Sequence, residues 1–192
     1  MRLVRFQVQG RPAFGILNND KVGELDGEGY VSLTSLRATH RTADVNFLAP
    51  CVPTKIVAVG LNYGDHAKEL GMAVPEDPLL FLRPPTSLIG PGDAIISPPM
   101  SRQIDYEGEL GVVIRDRVHG IAPNEVRDHI LGYTCANDVT ARDLQKKDGQ
   151  WTRAKSFDTF CPAGPWIETE LAPDDILIET FLNGECKQSS RT

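Results

Sequence analysis

The sequence predicts a mainly β fold of the α+β class, and three observations carry this prediction. Val4, Phe6 and Val8 alternate with polar residues, as in a half-buried strand. Short apolar runs such as residues 56–59 end at glycine or proline before they reach helical length. Asn183-Gly184, a strong hairpin signal, follows an apolar run close to the last residue.

The first part of the chain predicts a short β-meander. A strand through Val4, Phe6 and Val8 is followed by turn residues at 10–12, a strand over 13–17, a turn at 18–20 and a strand over 21–25. This segment holds no concentrated set of chemically useful side chains. We therefore predict a small N-terminal β domain over residues 1–50 and a catalytic domain over residues 51–192, with prolines 50 and 53 near the boundary.

The second part predicts further strands and a few helices. The apolar pattern predicts a buried strand over 56–59, a short helix through 66–70, a strand over 79–82 and a turn over 90–93 that leads into the apolar residues 94–96. Residues 123–131 are predicted to be helical, and Thr140 begins a capping-box pattern that would open another helix.

The C-terminal residues predict a hairpin with an open edge. A strand over 176–182 is followed by the Asn183-Gly184 turn and a polar return strand over 185–190. A return strand at the very end of a chain has unpaired backbone groups. We expect either that a C-terminal portion is missing or that another subunit covers this edge.

Composition and motifs exclude several classes of protein. Lysine and arginine number 20 against 26 acidic residues, a net charge of −6, and no basic cluster favours nucleic acid. No apolar run approaches the roughly 20 residues of a membrane span, and no signal-like segment opens the chain. The four cysteines form no CxxC pair, which favours reduced thiols and a cytoplasmic protein. The GxSxG, Walker, GxGxxG and HExxH motifs are absent as well.

The segment IDYEGELGVVI contains the most informative pair of side chains. On a strand Glu107 and Glu109 share a face, while Leu110, Val112 and Ile114 would point the opposite way into a core. Two neighbouring carboxylates repel unless a cation, a proton or a basic side chain neutralises them. Oxygen ligands alone favour a hard ion such as magnesium or manganese. The alternative is a solvated acidic strand face.

Other candidate residues also have ordinary structural explanations. Asp138 follows an apolar stretch and is placed either to bind a metal or to form a turn, and Asp105 and Asp143 are similar candidates. His66 and Glu69 would be neighbours on a helix, as a general base with its orienting acid or as an exposed pair. Lys155 is either a partly buried anion-binding group or a surface lysine.

Five segments taken in order resemble the fumarylacetoacetate hydrolase family: VGLNYGDHAKEL, FLRPPTSLIGPGD, IDYEGELGVVI, GYTCANDVTARDLQ and AKSFDTFCPAGPW. The resemblance covers residues 55–190, and the first 50 residues resemble the small N-terminal domain of that family. It implies a β-roll that encloses a divalent-metal site, in homodimers. The family's TGTP-like segment beyond the NGE hairpin has no match here, so the catalytic domain is expected to be truncated at its C-terminus.

The resemblance also implies roles for particular residues. Glu107, Glu109 and Asp138 match three carboxylate ligands of Mg²⁺ or Mn²⁺. The remaining matches are the catalytic residues His66, Glu69 and Lys155, and the substrate-binding residues Gln145 and Arg83, the last standing where many members have lysine.

The implied activity is hydrolytic cleavage of a carbon–carbon bond in an acylpyruvate or a related 1,3-dicarbonyl oxo acid. The implied partners are this small anionic substrate and a second copy of the chain, with no nucleic acid and no membrane. One alternative is a decarboxylase or isomerase of aromatic catabolism, of the oxaloacetate or 2-hydroxyhepta-2,4-diene-1,7-dioate type. The other alternative is an inactive metal-binding scaffold, because the TGTP-like segment has no match.

Overall fold

A nine-stranded sheet forms the framework of the computed structural model, which describes residues 1–64 and 75–192. In the order of the chain, the strands are β1 (Arg2–Val8), β2 (Arg11–Asn18), β3 (Lys21–Leu25), β4 (Leu36–Arg41), β5 (Asn46–Leu48), β6 (Ile56–Gly60), β7 (Leu79–Arg83), β8 (Leu88–Ile89), β9 (Ile104–Asp105), β10 (Gly108–Ile114), β11 (Ile130–Asn137), β12 (Thr140–Ala141), β13 (Cys161–Glu168), β14 (Leu177–Leu182) and β15 (Glu185–Arg191).

The described helices are short. Two are α-helical, α1 (Arg142–Asp148) and α2 (Thr152–Lys155), and the 3-10 helices are Thr42–Asp44, Pro85–Ser87 and Pro123–His129. Neither α-helix is long enough to cross a membrane, and no other described helix is long and apolar enough to do so. The mainly β class predicted from the sequence is confirmed.

The large sheet runs in the order β10-β11-β13-β1-β2-β3-β4, with β5 paired to β1 and β8 paired to β13. The predicted N-terminal meander is confirmed as β1, β2 and β3, and its apolar residues Val4, Phe6 and Val22 are fully buried. Leu3 in β1 pairs with Ile167 in β13. The strands on the two sides of residue 50 therefore share one sheet, while the division into two domains stays a prediction.

One predicted helix, over residues 123–131, is present in a shorter form, and the predicted capping box at Thr140 is wrong. Residues 123–129 form a 3-10 helix and not an α-helix, with no buried residue, so no apolar face packs against the protein. The capping box at Thr140 does not form, because the Thr140 hydroxyl donates to the carbonyl of Asp138 (2.9 Å) and Thr140 itself lies in β12. The predicted helix begins at Arg142, and its N-cap Ala141 provides no side-chain hydrogen bond.

The predicted strand over 56–59 exists as β6, but its expected burial is wrong. Strands β6 and β7 form a two-stranded sheet that pairs Val57 with Leu82, and the exposed fractions of Val57, Leu80 and Leu82 are 52%, 60% and 61%. On the opposite face of this sheet, Phe81 and Arg83 are buried. The burial of the sheet is one-sided because only that face packs on the rest of the described chain.

The predicted burial of the apolar side of β10 is also wrong. Val112 and Ile114 are about half exposed, at 49% and 54%, although they lie in a strand of the large sheet. Residues 94–96 form no regular strand, and Ile95 and Ile96 are exposed. The predicted hairpin is confirmed, with Asn183 and Gly184 both at positive φ (53° and 83°) between β14 and β15.

A cluster of buried apolar residues supports the region in which the candidate site residues lie. Val139, Ala141, Leu144, Ala154 and Phe160 pack together where α1 and α2 lie against β12. This packing fixes the short α2 helix, at whose last position Lys155 stands.

Candidate metal and active site

The acidic pair lies where β10 begins beside the end of β11. The backbone N–H of Glu107 donates to Oδ1 of Asn137 (2.9 Å), and the N–H of Asp138 donates to the carbonyl of Glu107 (2.8 Å). These two hydrogen bonds hold Asp138 beside the Glu107 backbone although the two residues are far apart in sequence. Antiparallel pairing of Glu109 with Ala136 continues the same register.

This register brings the three predicted metal ligands together. Carboxylate oxygens of Glu107, Glu109 and Asp138, one from each side chain, all lie within 4.8 Å of one another. In the described residues, Glu109 accepts no hydrogen bond, whereas the carboxylates of Glu107 and Asp138 have basic partners. Three converging carboxylate oxygens fit a hard divalent cation such as Mg²⁺ or Mn²⁺. The Glu109 carboxylate, in addition, accepts no hydrogen bond from the described residues. The solvated-face alternative for the acidic pair is wrong, since neither glutamate is exposed.

Lys155 is buried between two of these carboxylates. Its ammonium donates to Oε2 of Glu107 (2.8 Å) and to Oδ2 of Asp138 (2.5 Å), and the residue is only 2% exposed. The same ammonium lies 5.4 Å from the ring centre of Phe81 and 5.9 Å from that of Trp151. The surface-lysine alternative is therefore wrong, and Lys155 is a fixed cation at the acidic cluster.

The electrostatics differ between the two glutamates. Burial, followed by the nearby Glu107 charge, raises the pKa of Glu109 to about 7. Burial also acts to raise the pKa of Glu107, but Lys155 and Arg142 outweigh it and hold that pKa below the usual range. Burial lowers the pKa of Lys155 despite its acidic partners. Glu109 is thus the carboxylate that the protein's own cations neutralise least.

Arg142 is a site residue that the sequence reasoning missed. Its guanidinium donates to Oε1 of Glu107 (2.5 Å), to Oδ2 of Asp105 (2.8 Å) and to Oε1 of Gln145 (2.8 Å). Positions three apart on a helix share a face. The spacing from Arg142 to the predicted site residue Gln145 could therefore have indicated that Arg142 lies near the site. The structure therefore places Gln145 beside the acidic cluster, and its contact with substrate stays a prediction.

Arg83 contacts Asp138, one of the three carboxylates, and is 3% exposed. Its Nη1 contacts Oδ1 of Asp138, and its Nη2 donates to the carbonyl of Phe160. These described contacts are all to protein groups, and the predicted role of Arg83 in substrate binding stays a prediction.

The remaining candidates lie apart from the cluster or outside the described residues. Asp143 accepts hydrogen bonds from the Ser101 hydroxyl (2.6 Å) and the Arg102 N–H (2.9 Å), which ties a loop to the start of α1. His66 and Glu69 fall within residues 65–74, outside the described part of the chain, so their catalytic roles stay predictions.

Two family models match the chain, one in each part. Residues 55–192 match the family described as fumarylacetoacetate (FAA) hydrolase C-terminal, and residues 1–50 match the family described as Rv2993c-like, N-terminal.

Two relatives show the range of similar sequences. An uncharacterized protein of Archaeoglobus fulgidus is 54% identical over 88% of this chain, which spans 66% of that protein's length. The mitochondrial oxaloacetate tautomerase Fahd2a of Rattus norvegicus is 43% identical over 78% of this chain and 50% of its own length. The chain thus spans between half and two thirds of the length of these relatives.

Solved structures share the fold over the whole chain. The 5-carboxymethyl-2-hydroxymuconate delta-isomerase of Mycobacterium smegmatis is 41% identical, with a TM-score of 0.90, and this chain covers 76% of it. The maleylpyruvate hydrolase of Sphingobium sp. SYK-6, solved with manganese(II) and pyruvate, is 25% identical, with a TM-score of 0.77 and likewise 76% of its chain covered.

Proposed function

The chain belongs to the fumarylacetoacetate hydrolase family, and from this premise we propose that it is a divalent-metal-dependent hydrolase of acylpyruvates or related 1,3-dicarbonyl oxo acids. The observation that carries the proposal is the convergence of three carboxylates with Lys155. The ammonium of Lys155 lies within hydrogen-bond distance of Glu107 and Asp138, two of the three acids.

Glu107, Glu109 and Asp138 are the residues that would hold Mg²⁺ or Mn²⁺. When bound, such an ion supplies positive charge toward the oxygens of a 2-oxo acid. Manganese and pyruvate in the related Sphingobium hydrolase support this choice of ion and of ligand class. Glu109, which has no described hydrogen-bond donor, is the side chain most available for a cation.

The reaction adds water across one carbon–carbon bond. A hydroxyl group bonds to the acyl carbonyl carbon, the bond from that carbon to the methylene carbon breaks, and the electron pair remains on the pyruvate fragment as an enolate. Protonation of that fragment gives pyruvate and a carboxylic acid. In this proposal His66, oriented by Glu69, takes the proton from water.

The described residues act on the enolate half of this reaction. Lys155 is a buried, pre-positioned donor for a developing oxyanion, and such donors are effective because they need no reorganisation when the charge forms. Arg142, through its three acceptors, keeps Glu107 and Gln145 in fixed positions beside the same space. Both cations favour an anionic substrate.

A second candidate is the interconversion of oxo-acid tautomers or isomers, or decarboxylation, through the same enolate. The tautomerase of Rattus norvegicus and the isomerase of Mycobacterium smegmatis favour it, at 43% and 41% identity. These reactions use the same enolate stabilisation by Lys155 but add no water to a carbonyl carbon. The two candidates differ in whether the acyl carbonyl is converted into a new carboxyl group.

The test is product analysis with the full chain. Acetylpyruvate and oxaloacetate are incubated with the protein and Mn²⁺ or Mg²⁺, then with a chelator, and products are followed by NMR. We expect metal-dependent formation of acetate and pyruvate from acetylpyruvate, and its loss in Glu109→Gln but not in the exposed Glu170→Gln. Turnover of oxaloacetate alone would favour the second candidate, and no metal-dependent turnover of either would favour an inactive scaffold.

A homodimer stays a prediction, and we propose the exposed apolar face of β6 and β7 as the surface through which two copies would pair. Val57, Leu80 and Leu82 form an exposed apolar face on β6 and β7, on the side opposite the buried Phe81 and Arg83. Light scattering of the purified chain tests it, and a Leu82→Glu variant is expected to shift the mass toward that of a monomer.

A further inference from the structure

Arg83 stands at the last position of β7 with its guanidinium between two protein acceptors. Nη1 contacts Oδ1 of Asp138, Nη2 donates to the carbonyl of Phe160, and the side chain is 2% exposed. In the described residues, Nε and Nη1 of Arg83 and Oδ1 of Asp138 have no hydrogen-bond partner, so Arg83 and Asp138 form an ion pair without a hydrogen bond. A guanidinium so enclosed contacts the carboxylate of a metal-ligand candidate instead of open space.

The two oxygens of Asp138 have different surroundings as a result. Oδ1 contacts Arg83, whereas Oδ2 accepts the hydrogen bond from Lys155. A carboxylate held at one oxygen has its plane fixed, because rotation about the terminal bond would break that contact. Arg83 therefore acts together with Lys155 to fix the orientation of the Asp138 carboxylate.

The carbonyl of Phe160 connects Arg83 to the backbone beside Asp138 as well. It also accepts the N–H of Val139 (3.1 Å), the residue that directly follows Asp138. Thr159, just before Phe160, has φ of 72°, which is unfavourable for a β-branched residue, and its hydroxyl accepts the N–H of Ile96 (2.9 Å). The backbone is thus held in an unfavourable conformation next to a carbonyl that anchors both Arg83 and Val139.

We propose that Arg83 is a positioning residue, whose guanidinium contacts the Phe160 carbonyl and Asp138 Oδ1 and so fixes the orientation of the Asp138 carboxylate toward the divalent ion. This inference rests on the proposed function, because it assigns Arg83 a role toward the ion that the three carboxylates would hold. If Arg83 acted only as a positive charge that neutralises the acids, its removal would have the opposite effect on metal affinity. Loss of a nearby positive charge would then strengthen the binding of a cation.

The test measures Mn²⁺ affinity by calorimetry and the Mn²⁺ line shape by electron paramagnetic resonance. Arg83→Gln is expected to weaken Mn²⁺ binding about 10- to 100-fold, the usual effect of losing a group that orients a ligand. Arg83→Lys keeps the charge but offers one nitrogen in place of a fork, so an intermediate affinity and an altered line shape are expected. The exposed Arg127→Gln, which removes an arginine paired with Asp174, is the matched control and should bind like wild type.

Equal or tighter Mn²⁺ binding by Arg83→Gln would overturn the proposal, and so would wild-type affinity and line shape in Arg83→Lys. If Arg83→Gln fails to fold, as judged by its circular dichroism melt, the Arg83→Lys result decides alone. Failure of the wild-type chain itself to bind Mn²⁺ would overturn the metal-dependent function as well. Wild-type binding with unaffected Arg83 variants would overturn only the positioning role.

Discussion

Lys155 donates a 2.5 Å hydrogen bond to Oδ2 of Asp138, and the two side chains are 2% and 7% exposed. A buried charge pair of this kind is not in itself a large source of stability, because desolvation opposes the attraction. Removal of one partner is costly, since it leaves the other charge buried and unpaired. This asymmetry makes Lys155 a sensitive point for both stability and chemistry.

Lys155→Met is therefore expected to lower the free energy of unfolding by about 3–5 kcal/mol without metal. It should also reduce turnover a hundredfold or more, because a donor to the enolate oxygen is lost. Added Mn²⁺ should restore more stability to the variant than to the wild type, since the ion replaces the missing positive charge. Urea unfolding with and without Mn²⁺ measures this, and the exposed Lys147→Met is the control. Wild-type stability of Lys155→Met without metal would contradict the prediction.

Arg142→Lys tests whether the guanidinium holds Glu107 in place. Lysine keeps the charge but cannot reach Asp105, Glu107 and Gln145 with separate nitrogens, as Arg142 does. We expect a loss of about 1–3 kcal/mol in unfolding free energy and weaker Mn²⁺ binding. Thermal melts and calorimetry measure the two effects. The exposed Arg153, which among the described residues pairs with Asp148, is the control, and Arg153→Lys should leave Mn²⁺ affinity unchanged. A similar loss in both variants would argue against a specific role of Arg142.

Gly108 is required by the close approach of the β14–β15 hairpin to β10. A Cβ added to Gly108 would lie 2.1 Å from Oγ1 of Thr180, which is a clash, and 3.5 Å from the Cβ of Thr180, which is an ordinary contact. Gly108→Ala is expected to cost about 1–3 kcal/mol through this clash. Because Thr180→Ala removes the clashing oxygen, the double variant should recover most of that loss. Urea unfolding of the four proteins measures the coupling, and additive losses would contradict the predicted contact.

Glu24 provides a pH-dependent part of the stability, away from the acidic cluster. Burial acts to raise its pKa, but hydrogen bonds from His40 (2.8 Å) and Arg11 (2.7 Å) outweigh burial and lower the pKa below 4.5. A carboxyl with a lower pKa in the folded state stabilises the protein above the unfolded pKa. That stability is lost as the pH falls through the folded pKa.

Glu24→Gln is expected to lower the unfolding free energy at neutral pH by about 1–3 kcal/mol. The difference from wild type should shrink as the pH is lowered from neutral toward about 3, because protonation then removes the same charge from the wild type. Denaturant unfolding across this range measures the effect. The exposed Glu28→Gln should follow the wild-type curve at every pH.

Local pattern was sufficient to predict much of the secondary structure. Alternation of Val4, Phe6 and Val8 identified β1, and Asn183-Gly184 identified the hairpin, because strand period and turn chemistry are properties of a few adjacent residues. Burial was predicted poorly. Val57 and Val112 are apolar residues in real strands, yet they are exposed, because burial depends on what packs against a strand.

The candidate site likewise depends partly on local sequence and partly on tertiary contacts. Residue type and spacing marked Glu107, Glu109, Asp138 and Lys155 as candidates with ordinary structural alternatives, and only the family resemblance implied that the three acids form one set of metal ligands. Resemblance to a family supplied the link between segments, and its predictions for His66 and Glu69 concern residues outside the described part of the chain. Arg142 was missed, because nothing in its local sequence shows that its guanidinium reaches Asp105 and Glu107.

The sequence by itself determined where most of the strands and turns form, since these depend on short-range backbone preference, and it identified acids whose role as ligands stays a prediction. Only the tertiary structure decided that Lys155 is buried between Glu107 and Asp138, and that Arg83 contacts the other oxygen of Asp138. Such contacts join residues that are dozens of positions apart. Their geometry follows from strand register and core packing, which no local stretch of sequence specifies.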